Sequence, residues 1–323
     1  MVVPGDAWLR RRRLNMAIYI KHGTYTGDGS GSDRAITGIG FQPKVVIVKG
    51  ASSGSQIRID SMPSGESKLF DSSSAFETDC IVSLDSDGFT VAPNANQSNS
   101  VNFNAIDYYY IAFGGDSSDI ATGTYTGNGS DDRDVVTSLS FQPDMVLVTG
   151  ASKLTVLRNS AISAATDETW YIGTTASGTN RIQQVLSNGF QIGTDAVVNT
   201  NTYAYYWFAL KSTTGVLEFG TYTGNGVATR DITGVTTFQP TFVMSTCRNA
   251  VQNTTWKSAD IASTNGFAAS QNSAAVTTGI RGFLSDGFSV GSTANDNTDP
   301  YYFFAAIENA PGASSNSNFL ALL

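Results

Sequence analysis

The chain has 323 residues, of which 14% are charged, and a formal net charge of −8 at pH 7. This acidic balance argues against nucleic acid as a partner, because neutralising phosphates requires clustered lysine and arginine. One histidine and two cysteines are too few for a common zinc site and leave almost no material for a Ser-His-Asp or Cys-His arrangement.

Residues 1–16 form a leader that contains the one basic cluster, Arg10–Arg13. The leader lacks the apolar stretch of a secretory signal, and the sequence contains no apolar run of membrane-spanning length. We interpret residues 1–15 as an upstream extension ahead of a true start at Met16. The alternative is a basic arm that contacts a partner or DNA.

The next feature is a threefold internal repeat. The sequence GTYTGDG at 23–29 recurs as GTYTGNG at 123–129 and 220–226, each followed at a constant distance by Phe-Gln-Pro. A period of about 100 residues is the size of a compact domain. We predict domains over 17–115, 116–212 and 213–309, and a C-terminal tail over 310–323. The short linkers place the domains side by side, in a pseudo-threefold cluster or a stacked rod.

Each copy presents the same series of predicted strands. The apolar run after Phe-Gln-Pro predicts a central strand, an Asp-Gly or Asn-Gly pair predicts a hairpin, and an aromatic stretch predicts the closing strand. The segments 51–78, 151–180 and 248–278 diverge between copies and are rich in small polar residues, so we expect loops there. The predicted fold is all-β, with three tandem antiparallel β-sandwich (jelly-roll-like) domains.

A set of recurring residues is expected to form the scaffold of each repeat, with the tyrosine rings facing the core. These residues are Gly23, Tyr25, Pro43, Gly88, Phe89, Gly123, Tyr125, Pro143, Gly189, Phe190, Gly220, Tyr222, Pro240, Gly287 and Phe288. Cys80 and Cys247 fall at different places in their copies, which predicts buried free thiols rather than a disulfide.

Candidate catalytic and metal-binding groups are carboxylates in turns. Asp85, Asp87 and Asp286 offer the pair that a glycosidase needs, and Asp28 and Asp33 offer oxygens for calcium. We interpret all of them as turn residues, because Asp tolerates turn geometry and the calcium-loop spacing is incomplete. The prediction is therefore no catalytic residue, no cofactor and no metal.

Candidate binding residues are arginines and tryptophans. Arg34, Arg133 and Arg230 recur beside Asp33, Asp132 and Asp231; they either grip the carboxylates of a partner or glycan acid, or form ion pairs within the protein. Trp170 and Trp256, with Phe70 as a loose counterpart, lie in the divergent segments. They either stack on carbohydrate or belong to the core.

The series G-x-Y-x-G-N-G, F-Q-P-x-x-V-x-V, S-D-G-F-x-V-G and an aromatic strand resembles a repeat of tailed-bacteriophage virion proteins, often labelled tail fibre or structural protein. Its motifs are Gly23–Gly29, Phe41–Val48, Ser86–Val91 and Tyr108–Phe113, with their counterparts in the other copies, and they span Gly23 to about Asn309. The resemblance implies a virion context and no established enzyme activity.

We therefore expect a non-enzymatic virion structural protein, made in the host cytoplasm and exposed on the particle exterior. It would decorate the capsid or associate with the tail or fibre as a three-domain pseudo-trimer, with other virion proteins and further copies of itself as partners. The alternative is a receptor-binding adhesin for host attachment, which recognises host surface carbohydrate through the variable loops around Trp170 and Trp256. A polysaccharide depolymerase is the weakest hypothesis.

Overall fold

The computed structural model describes residues 18–311, except 136, 164, 249–251, 263, 270–274 and 297. The expectations for the leader and for nearly all of the C-terminal tail fall outside the described residues. The fold is 46% strand and 2% helix, and its strands form three groups of antiparallel sheets. The prediction of three tandem β-sandwiches is therefore confirmed.

The first repeat contains eight strands. They are β1 (Ile18–Thr26), β2 (Arg34–Thr37), β3 (Val45–Gly50), β4 (Ser55–Ile59), β5 (Lys68–Leu69), β6 (Ile81–Asp85), β7 (Gly88–Val91) and β8 (Asp107–Gly115). They form a five-stranded sheet in the order β1-β8-β3-β4-β5 and a three-stranded sheet in the order β2-β7-β6. The chain thus crosses repeatedly between two layers, as in double-sheet jelly rolls.

The second repeat follows the same plan and adds a four-residue helix. Its elements are β9 (Ile120–Thr126), β10 (Arg133–Val135), β11 (Met145–Thr149), β12 (Val156–Asn159), β13 (Trp170–Tyr171), β14 (Ile182–Leu186), β15 (Gly189–Ile192), α1 (Ala196–Asn199) and β16 (Ala204–Leu210). The sheets have the orders β13-β12-β11-β16-β9 and β10-β15-β14, so each strand has a counterpart in the first repeat.

The third repeat again has eight strands, with a 3-10 turn at Ser292–Ala294. The strands are β17 (Leu217–Thr223), β18 (Thr229–Ile232), β19 (Phe242–Cys247), β20 (Thr255–Ser258), β21 (Phe267–Ala268), β22 (Ile280–Leu284), β23 (Gly287–Gly291) and β24 (Pro300–Ala306). The sheets have the orders β17-β24-β19-β20-β21 and β18-β23-β22.

The predicted hairpins and central strands are present. Asp85 pairs with Gly88 across a two-residue turn between β6 and β7. In the other repeats Leu186 pairs with Gly189, and Leu284 pairs with Gly287, across equivalent turns. Strand β3 lies between β8 and β4, and its apolar residues reach the cores on both faces of the sheet. An apolar pattern on both faces therefore marked the central strand correctly.

Each sandwich encloses its own apolar core between the large and the small sheet. In the first repeat this core includes Tyr25, Val46, Val48 and Phe89, and the other two repeats have corresponding cores. The tyrosine rings of the repeated motif are therefore buried, as predicted. Each sandwich thus has an interior that is independent of its neighbours.

A fourth core lies where the outer faces of the three large sheets meet. Ile57 and Phe113 of the first repeat, Trp170 of the second, and Trp256 and Phe304 of the third belong to one continuous apolar cluster. Of the two arrangements that the sequence left open, the compact pseudo-threefold cluster is the one observed. The expectation that the divergent segments are loops is wrong in part, because β4, β5 and their counterparts lie there and supply this core.

The contacts between repeats run in one direction around a closed ring. The aromatic pairs that join neighbouring repeats are Tyr109 with Phe267 at 5.1 Å, Tyr206 with Phe76 at 5.5 Å, and Tyr302 with Trp170 at 3.9 Å between ring centroids. The three tyrosines occupy the same position of the closing strand. The closing strand of each repeat therefore uses an equivalent tyrosine to contact a neighbouring repeat.

The end of the third repeat returns to the first strand of the chain. The amide of Asn309 donates to the carbonyl of Ile20 at 2.8 Å, and the amide of Ile20 donates to the carbonyl of Asn309 at 2.9 Å. The Asn309 side chain is buried and donates to the Ile18 carbonyl. Hydrogen bonds thus join the third repeat to the first, where no covalent link does.

Candidate functional site

The GTYTGNG motif passes from the first strand of each repeat into an exposed loop, which is the most regular feature of the surface. In the second repeat, Tyr125 is buried and stacks on Tyr205 with ring centroids 5.2 Å apart. Its hydroxyl donates to the Val198 carbonyl at 2.7 Å. Burial, and then the neighbouring Tyr205, raise the pKa of Tyr125 well above its usual value, so this hydroxyl remains a donor.

A buried asparagine holds the loop from the other side. The Oδ1 atom of Asn199 accepts from the amides of Asn128 at 2.9 Å and Gly129 at 3.2 Å, and its Nδ2 donates to the carbonyls of Ser130 at 2.7 Å and Gly193 at 2.8 Å. Asn102 and Asn295 occupy the same place in the other repeats and are also buried. We term the set of Tyr125, Asn199 and Arg133, and the equivalent set in each of the other repeats, the loop clamp.

These asparagines lie outside the repeat motifs that the sequence identifies. Their signal was nevertheless present, because each begins an Asn-x-Asn triplet six residues before the first tyrosine of the closing strand. That triplet lies in an otherwise variable segment, and only the structure shows that its first member reaches the repeated loop.

The three repeated arginines complete the loop clamp. Arg133 donates to the Thr126 carbonyl at 2.6 Å, and its guanidinium lies 5.6 Å from the centroid of the Tyr125 ring. Arg34 and Arg230 make the equivalent hydrogen bonds to Thr26 and Thr223. Arg34 also forms an ion pair within its own repeat, with Asp28 at 3.6 Å, rather than with the sequence-adjacent Asp33.

A glycine in each loop permits this close fit. A Cβ on Gly127 would lie 2.1 Å from the carbonyl oxygen of Thr200, and a Cβ on Gly224 would lie 1.7 Å from that of Asp296. No real Cβ approaches backbone oxygen so closely, so the second glycine of GTYTG is required by packing. The repeated polar residues therefore fix the shape of the loop.

Trp170 and Trp256 do not lie on the surface. They are 0% and 1% exposed and belong to the core shared by the three repeats, together with Phe70. The hypothesis that they stack on sugar is therefore wrong, because a ring enclosed on all sides cannot reach a ligand. Their indole N–H groups have no acceptor among the described residues, which indicates that both side chains act as apolar filling.

The turn carboxylates also have structural partners. Asp87 accepts from the amides of Gly38 at 3.1 Å and Gly40 at 2.6 Å, and Asp286 accepts from Gly234 at 3.0 Å. Asp28 accepts from the amide of Ser30 and from Asn102, both at distances below 3.0 Å. Within the described part of the chain, no three His, Cys, Asp or Glu side chains are grouped to hold a metal ion. The hydrogen bonds of Asp28 lie within its own repeat and are those of a turn residue.

Buried cations hold the loops that follow the fourth strand of each repeat. Arg158 donates to the carbonyls of Ser163 at 3.0 Å and Thr166 at 2.9 Å, and Arg58 and Lys257 make similar contacts.

Burial lowers the pKa of Lys257 to about 8. Burial also lowers the pKa of Lys49 and Lys68 to about 8, although the charge of Asp71 acts in the opposite direction on both.

The remaining reactive side chains are enclosed. Both cysteines are free and buried, as predicted, and burial raises the pKa of the Cys80 thiol to about 12, so the nucleophilic thiolate is suppressed. His22 is buried at the junction of the first and third repeats, with its Nδ1 atom 2.5 Å from the Asp260 carboxylate. This pair joins neighbouring repeats.

Comparison with known protein families identifies a match over most of the chain. The family model described as Domain of unknown function (DUF7483) matches residues 16–311. The chain belongs to this family. No curated protein matches the chain.

The family match spans all three repeats, so it covers both the loop clamps and the shared core. Among the described residues, no helix is long and apolar enough to cross a membrane. Within each repeat the structure brings together one tyrosine, one arginine and one asparagine, which in the second repeat are Tyr125, Arg133 and Asn199. These clamps are separate from the two tryptophans, which lie in the shared core. The repeated side chains hold loops and join sheets.

Proposed function

We propose that this chain is a non-catalytic structural component on the exterior of a tailed-bacteriophage particle, where it decorates the capsid or associates with the tail. The observation that carries the proposal is the core shared by the three repeats. It makes a single chain into a pseudo-trimer, whose surface repeats three times around one axis. Such a body matches a threefold-symmetric position in a larger symmetric assembly.

Two further observations support the proposal. The sequence motifs resemble those of phage virion repeats, and the polar residues that recur in all three copies act in the loop clamps rather than converging on a cleft. A protein selected for shape and persistence uses its repeated residues in this way. The proposed partners are other virion proteins.

The test is to locate the protein on particles. Phage particles are purified by density gradient from a host carrying the gene, and the chain is sought by mass spectrometry and by immunogold electron microscopy. The proposal expects a stoichiometric copy number on particles and gold on the head or tail. Recovery only in the soluble lysate, with none in intact particles, would refute it.

A further inference from the structure

A polar groove opens on the first repeat, between the start of β3, the end of β4 and strand β6. Its volume is about 510 Å³, within the range of about 300–1,000 Å³ that small-molecule sites occupy. The lining includes Gln42, Lys44, Arg58, Asp60, Ser83 and Leu84. Most of these residues lie on strands or directly beside them, so the groove is held by the sheets.

Lys44 is the feature that sets this groove apart from the same place in the other repeats. The residue after Phe-Gln-Pro is Asp144 in the second repeat and Thr241 in the third. Asp144 accepts from the amide and hydroxyl of Ser212 at 2.8 and 2.7 Å, and Thr241 accepts from the Glu308 amide at 3.2 Å. The half-buried Lys44 ammonium makes no hydrogen bond or ion pair with any described residue.

The backbone fixes Lys44 and Asp60 relative to each other. The Lys44 amide donates to the Phe113 carbonyl at 2.7 Å, and the Asp60 amide donates to the Lys44 carbonyl at 2.8 Å. The exposed Asp60 carboxylate likewise has no hydrogen bond within the described chain, and its charge acts on the buried Arg58 guanidinium. A free cation and a free acceptor thus stand side by side at one rim of the groove.

The opposite wall is partly apolar. Val82 and Leu84 on β6 are half-buried and line the groove, and the exposed Gln42 side chain donates to the Leu84 carbonyl at 3.2 Å. A concave site with an apolar wall, a cation and hydroxyl-binding groups matches the surface of a sugar that carries a carboxylate. Its C–H face would lie on the wall, and its hydroxyls would face Asp60 and Ser64.

We propose that this groove binds a short acidic oligosaccharide, with Lys44 pairing the sugar carboxylate and Asp60 accepting from neighbouring hydroxyls. A protein partner fits less well, because protein hot spots are apolar and aromatic anchors, whereas the one large hydrophobic residue exposed among the described residues is Val227 of the third repeat. The proposal goes beyond the structural role on a particle and does not rest on it.

The test measures binding of the full chain to a panel of uronate- and sialate-containing oligosaccharides, each with its neutral counterpart, such as 3′-sialyllactose with lactose. Saturation-transfer NMR and calorimetry report the binding. The expected result is that an acidic member binds, that its neutral counterpart binds at least tenfold more weakly, and that added salt weakens binding.

The decisive variant places the residues of the second repeat into the groove. Lys44→Asp with Asp60→Ser should reduce binding at least tenfold and leave the thermal midpoint nearly unchanged, because the same backbone accommodates Asp144 and Ser160 in the second repeat. Ser160→Ala serves as the matched control and should bind like the wild type. The proposal is overturned if no acidic saccharide binds, if the double variant binds equally well, or if hexaglutamate binds while the saccharides do not.

Discussion

The interior of each sandwich and the core at the pseudo-threefold axis follow opposite rules. Inside the sandwiches the same residue types recur: Phe89, Phe190 and Phe288 each meet the repeated tyrosine edge-on, at 6.2, 6.3 and 5.8 Å between centroids. At the axis, equivalent positions differ. Phe113 of the first repeat corresponds to Leu210 and Ala306, and Lys68 corresponds to Trp170 and Phe267.

The difference follows from what each side chain touches. A residue inside a sandwich contacts only its own repeat, so three identical copies are compatible with one another. A residue near the axis meets side chains of the other two repeats, so the space for one ring depends on the size of the side chains opposite it. The Phe113 ring lies 6.4 Å from Phe208 of the second repeat and 6.2 Å from Phe304 of the third, and the equivalents of Phe113 are the smaller Leu210 and Ala306. Divergence at this position of the axis therefore fits close packing.

The largest expected effect comes from emptying the shared core. Trp256→Ala should lower the free energy of unfolding by about 3–5 kcal/mol, because it removes a fully buried aromatic ring and leaves a cavity. Trp256→Phe should cost about 1 kcal/mol, since the indole N–H has no acceptor to lose. Urea unfolding measures both.

Val227→Ala is the control for that experiment, because Val227 is 46% exposed and its truncation should change stability by about 0.5 kcal/mol or less. If Trp256→Ala costs no more than this control, the core at the axis does not stabilise the protein.

The next effect is a dependence of stability on pH. The folded pKa of Lys49, Lys68 and Lys257 is about 8, below the unfolded value of about 10.4. Between these values the unfolded chain binds more protons, so stability rises with pH by up to about 1.4 kcal/mol per pH unit for each lysine. Burial raises the pKa of Tyr110 to about 12, so stability falls again above pH 10.

Lys68→Met isolates one lysine of that set. The other repeats carry Trp170 and Phe267 at this position, so an apolar side chain suits it. The variant should be about 2 kcal/mol more stable than the wild type at pH 7, by relief of the charge-burial penalty, and should show a shallower rise from pH 8 to 10 in urea titrations. An unchanged slope of stability against pH between pH 8 and 10 would contradict the lowered pKa of Lys68 in the folded protein.

The loop clamp gives an effect of moderate size. Asn199→Ala should cost about 2 kcal/mol, because it leaves the Asn128 amide and two carbonyls without their partner. Asn201→Ala is the matched control, since Asn201 is exposed, and it should be neutral in the same chemical denaturation. Equal costs for the two would show that the clamp contributes nothing.

The smallest effect is expected at the repeated arginines. Arg133→Ala should cost about 1 kcal/mol or less, because its hydrogen bond to Thr126 and its contact with Tyr125 lie at a partly exposed site. Thermal unfolding measures the change. A loss above about 2 kcal/mol would place the arginine among the main stabilising residues of the loop.

The sequence predicted what lies within a repeat and not what lies between repeats. The apolar run after Phe-Gln-Pro located β3, and turn chemistry located the Asp87–Gly88 hairpin, because those signals are local. The sequence does not mark β13 or its counterparts as strands, because Lys68, Trp170 and Phe267 occupy equivalent positions but differ in type, so no repeated motif points to them. Asn199 was missed for a related reason: its partners lie about 70 residues away along the chain.

The central claim is that the core at the axis makes three sandwiches into one cooperative unit, and hydrogen exchange resolved by peptide over a urea series tests it most directly. The account predicts that β3, β11 and β19 lose protection at one urea concentration, and that Trp256→Ala shifts all three to the same lower value. Loss of protection in β19 alone, while β3 and β11 stay protected, would contradict it.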